Sequence, residues 1–383
     1  MKRKVLSVFG TRPEANKMCP LVRELESRPE LESIVCVTGQ HREMLDQMLG
    51  AFDVHPQFDL NIMEKQQTLS TITAKAMVGL GQVLEQVKPD IVLVHGDTTT
   101  TFASALAAFY HHVPIGHVEA GLRSFDLQSP FPEEANRRMV GTLANVHFSP
   151  TKRNMENLRR EQVTAPIFIT GNTAIDALKL TVKPDYVFEE AALAQVDFAH
   201  RKVIAITAHR RENYGQPMEN IMAAFGQLAR RFPEALLVYP VHLSPYVQEM
   251  AQKHLAGLSN VLLTKPLGVT DMHNLLARSY LVMTDSGGLQ EEAPALGKPV
   301  LVLRRETERP EAVEAGTVFV TGTEQSDIVT AAAELLSGGE RYHRMAHAVN
   351  PYGDGFASRR IADDLLYYFG LRQQPAADFS VEG

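Results

Sequence analysis

The chain has 383 residues, 44% of them hydrophobic, and a formal net charge of −7 at pH 7. This length exceeds that of one typical domain and predicts two, and the hydrophobic content is ordinary for a globular protein with a full core. The negative charge argues against a general nucleic-acid-binding surface, so we expect basic residues at strand ends to be local features that face an anionic ligand.

The cysteine content and the apolar runs predict a cytoplasmic protein without a metal site. Cys19 and Cys36 provide neither a disulfide framework nor a metal-ligand spacing, and no H-E-x-x-H motif occurs. The residues before Gly10 do not form the long apolar region of a signal peptide, and no run approaches the ~18 apolar residues of a transmembrane helix.

In the first half of the chain, apolar runs typical of buried parallel strands alternate with helical patterns. The predicted strands cover residues 5–9, 34–38, 90–94, 115–118, 146–148 and 167–170. The predicted helices cover residues 14–27, 43–51, 68–86, 99–110, 133–143 and 152–160.

The alternation weakens at residues 179–200, where we expect a linker, and it then restarts. The later strands are predicted at 203–207, 236–239, 261–263, 280–284 and 299–302, and the later helices at 219–231, 245–255, 272–278, 288–296 and 357–368. Two such halves predict two doubly wound, Rossmann-like α/β domains that face each other across a cleft. The expected limits are 1–175 and 176–356, with a helix at about 357–370 that packs back on the first domain and a tail at 371–383, disordered from Gln373.

A polar sequence, Gly10-Thr11-Arg12-Pro13-Glu14, follows the first predicted strand. In open α/β sheets, ligands bind outside the carboxyl ends of the strands. Arg12 and Lys17, together with the helix N-terminus, could therefore face a phosphate group. The alternative is a helix that simply begins at proline and carries a surface arginine. The sequence is neither a Walker A loop nor G-x-G-x-x-G.

Three acidic residues of the first half follow strands or begin a helix: Asp97, Glu119 and Glu133. Each taken singly is more often a helix cap or a partner of the helix dipole. Because all three would project to the same sheet edge, together they favour acid/base chemistry. Mutual repulsion and partial burial would raise some of their pKa values toward neutrality.

In the second half, His209, Arg210 and Arg211 follow the strand at 203–207. Arginine can bind phosphate oxygens in a bidentate way and histidine can carry a proton, so this sequence suits a pyrophosphate leaving group. The alternative is a solvated basic loop. His242 is either a second histidine of the same site or a helix-capping residue.

Ser286, Gly287 and Gly288 open a helix after the strand at 280–284. The two glycines allow backbone N–H groups to approach a phosphate closely. Glu292, one turn later, could accept hydrogen bonds from ribose hydroxyls, and Arg309 lies on a further loop. The combination predicts a site for a nucleoside diphosphate.

The chain resembles the non-hydrolysing UDP-N-acetylglucosamine 2-epimerase family in a set of motifs from Val5 to about Tyr368: GTRPE, QHREMLDQ, HGDTTTT, HVEAGLR, PEEANR, GNT, HRRE, TDSGGLQEEAP and NPYGDG. The resemblance implies a GT-B-like architecture and a homodimer. It also implies an isomerase that interconverts UDP-GlcNAc and UDP-ManNAc and so supplies ManNAc for bacterial surface polysaccharide.

The resemblance also implies roles for individual residues. Those expected to be catalytic are Asp97, Glu119, Glu133 and His209. Asp97, Glu119 and His209 are also expected to bind the substrate, together with Arg12, Lys17, Ser286, Gly287, Gly288, Glu292 and Arg309. A second UDP-GlcNAc molecule is expected to act as an activator at Gln40, His41, Gln67 and Arg210. Glu43 departs from the family pattern near that site, because relatives often carry Gln there.

The chemistry of the sugar favours elimination and re-addition of UDP. The C2 proton is not next to a carbonyl group, so a carboxylate can remove it only as the bond from C1 to UDP breaks. The resulting 2-acetamidoglucal takes a proton on the other face and UDP adds back, without a redox cofactor. The alternatives are a hydrolysing epimerase, a GT-B glycosyltransferase and a non-catalytic nucleotide-sugar sensor.

Overall fold

The computed structural model describes residues 2–39, 42–64 and 67–381 of the chain. Two compact units make up the protein, the first formed by Met1–Leu180 with Tyr352–Gly383 and the second by Thr181–Pro351. Each unit is built on one sheet in which the paired strands are parallel. The predicted fold class, two Rossmann-like doubly wound α/β domains, is confirmed.

The strands of the first unit are β1 (Arg3–Phe9), β2 (Leu31–Val37), β3 (Phe58–Asp59), β4 (Ile91–His95), β5 (Ile115–Val118), β6 (Val146–Ser149) and β7 (Ile167–Ile169). Their spatial order is β3-β2-β1-β4-β5-β6-β7. Strands such as β4 and β5 are buried along their whole length, as expected for a parallel sheet covered on both faces. The sequence did not predict β3, because two residues leave no readable apolar pattern.

The helices that follow these strands are α1 (Arg12–Glu26), α2 (Arg42–Phe52), α3 (Leu69–Val87), α4 (Thr99–Tyr110), α5 (Glu133–Leu143), α6 (Lys152–Arg160) and α7 (Thr173–Thr181). Helix α4 is rich in alanine and packs closely against both α3 and α5. In the part of the chain that the structure describes, no helix has the length and the apolar character needed to cross a membrane.

Glu14 ties the turn between β1 and α1 to the start of α4. Its Oε2 accepts hydrogen bonds from the backbone N–H groups of Gly10 (3.0 Å) and Thr11 (2.8 Å). Its Oε1 accepts hydrogen bonds from the hydroxyls of Thr98 (2.7 Å) and Thr101 (3.0 Å). Because the carboxylate is buried and satisfied on both oxygens, it fixes the ends of two neighbouring strands relative to each other.

The strands of the second unit are β8 (Val203–Thr207), β9 (Leu236–Pro240), β10 (Val261–Thr264), β11 (Leu281–Thr284), β12 (Val300–Val302) and β13 (Val318–Val320), in the spatial order β10-β9-β8-β11-β12-β13. Its helices are α8 (Ala191–Ala194), α9 (Gln216–Arg231), α10 (Pro245–Leu255), α11 (Val269–Arg278), α12 (Leu289–Ala295), α13 (Pro310–Glu314), α14 (Gln325–Leu336) and α15 (Glu340–His347). The sequence analysis did not assign β13 or α13 to α15.

The segment predicted to be a linker is an integral part of the second unit. The carboxylate of Asp271, on α11, accepts hydrogen bonds from the Tyr186 hydroxyl (2.8 Å) and from the backbone N–H groups of Glu189 (3.0 Å) and Glu190 (2.9 Å). These bonds hold an irregular stretch against the helix, which explains why the stretch lacks a strand or helix pattern and is nevertheless ordered.

The last helix, α16 (Ala357–Tyr368), packs against α1 in the first unit. The expectation that the tail after it is disordered is wrong for the residues that the structure describes. The Phe379 N–H donates to the carbonyl of Ile169 (2.7 Å), and the Asp378 carboxylate accepts from the Ile169 N–H (3.1 Å). Phe379 itself is buried. The tail therefore covers the open edge of β7.

In each sheet the strand order reverses once, between β1 and β4 in the first unit and between β8 and β11 in the second. Helices leave such a point toward opposite faces, so a crevice opens at the carboxyl edge of the strands. The loops that carry Arg12 and Asp97 lie at the first reversal, and those that carry His209 and Ser286 lie at the second.

Candidate active site

The loops after β1 and β4 and the start of α5 meet at the carboxyl edge of the first sheet. Arg12, Asp97 and Glu133 line a cavity of about 450 Å³ there. The remaining lining residues are Thr11, Pro13, Leu69, Thr98, Thr99, Pro132 and Asn136. The cavity is therefore lined by one basic and two acidic side chains and by the first residues of helices. The backbone N–H groups at a helix start favour an anionic, polar ligand.

Asp97 follows β4 and is paired with Arg137 of α5. The Arg137 Nη2 donates to Oδ2 of Asp97, and the side-chain amide of Asn136 donates to the Asp97 carbonyl (2.9 Å). Burial raises the pKa of Asp97 to about 6, against the opposing effect of the Arg137 charge. The carboxylates of Glu119 and Glu133 raise it further. Asp97 can therefore gain or lose a proton close to neutral pH.

Glu119 follows β5 and is fixed by two donors on one oxygen. Its Oε1 pairs with Nζ of Lys17 and accepts a hydrogen bond from Nδ2 of Asn172 (3.0 Å). Its Oε2 lies 3.8 Å from Nε2 of His95. The backbone of Glu119 has φ +61°, in the left-handed region that residues other than glycine rarely adopt. Such backbone geometry persists where the surroundings determine it, as these contacts do here.

Three buried histidines lie behind this edge: His95 on β4, His117 on β5 and His147 on β6. Burial lowers the pKa of His95 to about 4, of His117 to about 3 and of His147 to about 4, so all are neutral at pH 7. His117 Nε2 hydrogen-bonds the carbonyl of Gly96 (2.8 Å) and so supports the loop that carries Asp97.

The two acids that begin α5 lie in different environments. Glu134 is fully buried and accepts hydrogen bonds from the backbone N–H groups of Ser124 (3.0 Å) and Phe125 (3.2 Å). It therefore shapes the loop that leads from β5 into α5. Glu133 instead lines the cavity, where its charge acts on Asp97.

Helix capping does not account for the acids at this edge. Helix α4 is capped by Thr98, whose hydroxyl accepts from the Thr101 N–H (3.1 Å), and not by Asp97. No side-chain hydrogen bond caps the start of α5. The structure brings Asp97, Glu119 and Glu133 together at one sheet edge, close enough for each of the other two charges to raise the pKa of Asp97.

At the edge of the second sheet, Asp285 organises the loop after β8. Its Oδ2 accepts hydrogen bonds from the backbone N–H groups of His209 (2.7 Å) and Arg210 (2.8 Å) and from the side chain of Asn213 (3.3 Å). Its Oδ1 lies 3.6 Å from Nδ1 of His209. Burial lowers the pKa of His209, with the Asp285 charge opposing and the nearby His242 adding to the shift. The His209 and His242 rings stack at 5.0 Å, so His242 belongs to the same site.

The Ser286-Gly287-Gly288 turn lies beside Arg309. A Cβ atom at Gly287 would come within 3.0 Å of Cζ and Nη1 of Arg309, so an alanine there would push the guanidinium back by a few tenths of an ångström. The Arg309 guanidinium is held by Glu291 (2.8 Å from Nε) and Glu308 (3.0 Å from Nη1). Backbone N–H groups and an oriented guanidinium are thus presented at one place, the arrangement that binds phosphate oxygens.

Glu292, one turn into α12, lies close to this turn and faces a histidine. Its Oε2 is 3.6 Å from Nε2 of His273, whose Nδ1 hydrogen-bonds the hydroxyl of Thr181 (2.7 Å). A Cβ atom added at Gly288 would lie 3.8 Å from Oε1 of Glu292. The carboxylate is therefore oriented toward the glycine turn.

Residues 23–366 match the family model described as UDP-N-acetylglucosamine 2-epimerase. The chain belongs to the UDP-N-acetylglucosamine 2-epimerase family. The family resemblance found from the motifs is confirmed. The match begins within α1, so it covers the whole of the second strand-order reversal but leaves out β1 of the first.

Individual members of the epimerase family match the chain over nearly its whole length. The UDP-N-acetylglucosamine 2-epimerase of Bacillus subtilis is 54% identical over 99% of this chain and 99% of its own length. An S. aureus protein solved in a co-structure with UDP is 50% identical, with a TM-score of 0.90 over 99% of this chain and 100% of that chain. A Neisseria meningitidis UDP-GlcNAc 2-epimerase solved with UDP-GlcNAc is 48% identical, with a TM-score of 0.88 over 95% of this chain and 100% of that chain.

Of the four residues predicted to bind an activator, the structure describes two, Gln67 and Arg210. Gln40 and His41 lie outside the described residues. Gln67 precedes α3 and donates from its side-chain amide to the Ile62 carbonyl (2.5 Å). Arg210 is exposed in the second unit, and its backbone N–H is bound by Asp285.

Sequence reasoning missed several residues that shape the two sheet edges: Glu14, His95, Arg137, Asn172 and Asp285. Each lies within a motif that was recognised: GTRPE, HGDTTTT, PEEANR, GNT and TDSGG. The signal was therefore present, but the motif alone does not tell which member faces a ligand and which orients a neighbour.

Proposed function

We propose that the protein interconverts UDP-GlcNAc and UDP-ManNAc by epimerisation at C2, as an isomerase that does not hydrolyse the nucleotide sugar. The observation that carries this proposal is the group of Asp97, Glu119 and Glu133 at one sheet edge in a chain of the epimerase family. A transferase of similar fold needs a nucleotide site and an acceptor, but it has no need for several proton-exchanging acids around the donor sugar.

The reaction begins with cleavage of the bond between C1 and the UDP oxygen. UDP leaves with the electron pair, and the positive charge that develops at C1 acidifies the proton on C2. A carboxylate takes that proton, and a C1=C2 double bond forms to give 2-acetamidoglucal. An acid then protonates C2 on the opposite face, and the UDP oxygen adds back to C1. Atoms and charge balance without a redox cofactor.

Inversion at C2 requires a proton-exchanging group on each face, and the first unit supplies the candidates. Asp97 titrates near pH 6, so it can be either the acid or the base near neutrality. Glu119 is held in one orientation by Lys17 and Asn172, as a positioned acid or base must be. Glu133, which lines the cavity beside Asp97, is the third member.

The second unit is proposed to hold the UDP group. The Ser286-Gly287-Gly288 turn and the guanidinium of Arg309 bind the diphosphate, and Glu292 binds the ribose hydroxyls. His209, neutral in the free protein because burial lowers its pKa, accompanies the departing phosphate and exchanges a proton with it.

Two basic residues of the first unit complete the proposed substrate site. Arg12 lines the acid cavity and is proposed to contact the departing diphosphate. Lys17 was predicted to bind the UDP group. Its ion pair with Glu119 gives it a further proposed role, which is to balance the charge of that carboxylate.

The family resemblance supports further proposals about assembly and context. We propose a cytoplasmic homodimer whose product supplies ManNAc for surface polysaccharide. A second UDP-GlcNAc molecule is proposed to activate it through Gln40, His41, Gln67 and Arg210. What supports these proposals is the likeness to the epimerase family, in which the match covers 99% of the Bacillus subtilis protein.

Incubation of the protein with UDP-GlcNAc alone tests the function. Followed by proton and phosphorus NMR, the reaction should reach a mixture of UDP-GlcNAc and UDP-ManNAc with the diphosphate intact. Release of free ManNAc and UDP would identify a hydrolysing epimerase. No change without an added acceptor would instead indicate a glycosyltransferase or a sensor.

A further inference from the structure

The side chain of Asn172, between β7 and α7, connects a helix start to Glu119. Its Oδ1 accepts a hydrogen bond from the Ala174 N–H (3.0 Å), and its Nδ2 donates to Oε1 of Glu119 (3.0 Å). Because a backbone donor occupies the amide oxygen, the NH₂ group must face the carboxylate. The orientation of this amide is thus set by the protein backbone.

The loop of Asn172 packs directly on the start of the C-terminal segment, residues 352–381. The Asn172 N–H donates to the carbonyl of Tyr352 (2.7 Å). A Cβ at Gly171 would lie 3.4 Å from Cα of Gly353, and a Cβ at Gly353 would lie 3.4 Å from the Asn172 nitrogen. The two backbones are therefore packed together and joined by a hydrogen bond, so the position of Asn172 depends on that of the C-terminal segment.

The end of the same segment holds the residues just before Asn172. The Phe379 N–H donates to the Ile169 carbonyl (2.7 Å), and Nη1 of Arg360 donates to the Thr170 carbonyl (3.2 Å). The guanidinium of Arg360 lies 5.5 Å from the centre of the Phe379 ring and is also bound by Asp354 (2.8 and 2.6 Å). The loop is therefore fixed from both ends of the C-terminal segment.

We propose that Asn172 is a positioning residue for Glu119 and that the C-terminal segment controls turnover through it. Asn172 and Lys17 both bind Oε1 of Glu119, so they determine where Oε2 points. A displacement of about 1 Å at a reacting group can lower turnover by about 100-fold. The inference rests on the proposed epimerase function and adds a control on Glu119 by residues remote in sequence.

Asn172→Ser separates the two roles of the side chain. Serine caps a helix as well as asparagine does, so the bond to Ala174 is kept, whereas its shorter side chain loses the donor to Glu119 without adding a charge beside that carboxylate. The expected result is an unchanged Tm, a kcat lower by roughly 10- to 100-fold and a KM for UDP-GlcNAc within about twofold of the wild type. A kcat equal to that of the wild type would overturn the proposal.

A double-mutant cycle shows whether the effect passes through Glu119. In the Glu119→Gln background, adding Asn172→Ser should lower the residual turnover by less than about twofold, because residues that act as a unit are non-additive. If the double variant lost turnover by the product of the two single-variant factors, Asn172 would act independently of Glu119, and the assignment would be contradicted.

Phe379→Ala tests the role of the C-terminal segment, with Val381→Ala as the matched control. Phe379 is 8% exposed and Val381 is 43% exposed, so only the first should loosen the loop. Phe379→Ala should lower kcat about 3- to 10-fold with a folded circular dichroism spectrum, and it should add nothing in the Asn172→Ser background. An equal loss in both backgrounds would refute the link.

Assays of the wild type and of the variants distinguish the proposed function from the positioning role of Asn172. If wild-type protein does not convert UDP-GlcNAc to UDP-ManNAc, the proposed function is wrong. If the wild type converts it and the variants at Asn172 and Phe379 do so at the same rate, only the positioning role is wrong.

Discussion

Arg137 and Asp97 form an ion pair although they come from different parts of the first unit, helix α5 and the loop after β4. The other terminal nitrogen of Arg137 lies 3.4 Å from buried Glu134. Arg137 thus links the carboxyl that titrates near pH 6 to one that fixes the neighbouring loop. Burial raises the pKa of Asp97, and the charge of Arg137, which is not one of the described residues that line the cavity, opposes that rise.

Arg137→Gln should move the pH dependence of the reaction. The free protein's Asp97 has a pKa of about 6, and the Arg137 charge and hydrogen bond lower it from a still higher value. Removing that charge raises the pKa, so the limb of the kcat/KM profile near pH 6 should shift to higher pH. Arg138→Gln is the control, because Arg138 pairs with Glu134 and Glu161 and not with Asp97. A limb that stays in place in Arg137→Gln would contradict the assignment to Asp97.

The three acids should be needed for turnover more than for binding. Asp97→Asn, Glu119→Gln and Glu133→Gln should each lower kcat by at least about 100-fold, since a lost general acid or base costs about that much. Reaction of the wild type in D₂O should place deuterium at C2 of the product. Some variants should release the glucal and UDP, because expulsion of UDP and reprotonation of C2 are separate events.

A helix-cap variant supplies the control for the acids. Thr151 caps α6 by accepting from the Asn154 N–H (3.3 Å). Thr151→Ala should cost about 1 kcal/mol of unfolding free energy while turnover stays normal. If the three acid variants showed that same pattern, or if no deuterium reached C2, the mechanism would have to be abandoned.

Gly287→Ala should weaken UDP binding without removing any charged group. The added Cβ would come within 3.0 Å of the Arg309 guanidinium, which must move away from the turn. Arg309→Ala and Glu292→Ala should each cost roughly 1.5–3 kcal/mol of UDP binding, the usual cost of losing a hydrogen bond to a charged group. Gly268→Ala is the matched control, since a Cβ there meets nothing within 4 Å. Calorimetry that finds equal UDP affinity in all variants would disprove the nucleotide site.

Asp364→Asn should stabilise the protein at alkaline pH. Burial raises the pKa of Asp364 to about 7, with Asp378 and Asp363 adding to the shift. The folded state therefore binds this proton more tightly than the unfolded state, so the native protein loses stability as pH rises toward 7. The variant should gain at least about 1 kcal/mol in unfolding free energy at pH 8 and little at pH 4.

Asp363, next to Asp364 in the sequence, provides the control for this prediction. Asp363 pairs with Arg28 (3.2 Å) and with Arg372, so Asp363→Asn should not stabilise the protein at pH 8. Denaturant titrations at the two pH values measure both variants. The same gain in both variants would mean that general charge reduction, and not the burial of Asp364, is responsible.

Activation by the substrate should give a sigmoidal dependence of rate on UDP-GlcNAc concentration and slow reversal from UDP-ManNAc alone. The motivation is the likeness of Gln40, His41, Gln67 and Arg210 to the family's activator residues. Gln67→Ala and Arg210→Ala should make the forward curve hyperbolic, because the activator would lose its contacts. Rapid reversal from pure UDP-ManNAc by the wild type would argue against an activator site.

The sequence determined the strands other than β3 and β13, the edge at which the functional loops lie and the family. Apolar runs such as Ile91–His95 can be satisfied only inside a sheet covered on both faces, so their positions were readable without the fold. The polar sequence after each run then had to lie at the carboxyl edge. The order of the strands made two of these edges the places where a crevice opens.

Only the tertiary structure decided which side chains meet. Arg137 pairs with Asp97 across 40 positions, Asn172 binds Glu119 across 53, and Asp378 binds Ile169 across 209. No local pattern encodes such a contact, because hydrophobic periodicity reports which face of an element is buried and not what lies opposite a polar group on it. The tail looked disordered for the same reason: its order comes from an edge strand and a buried Phe379, both supplied by parts of the chain far away in sequence.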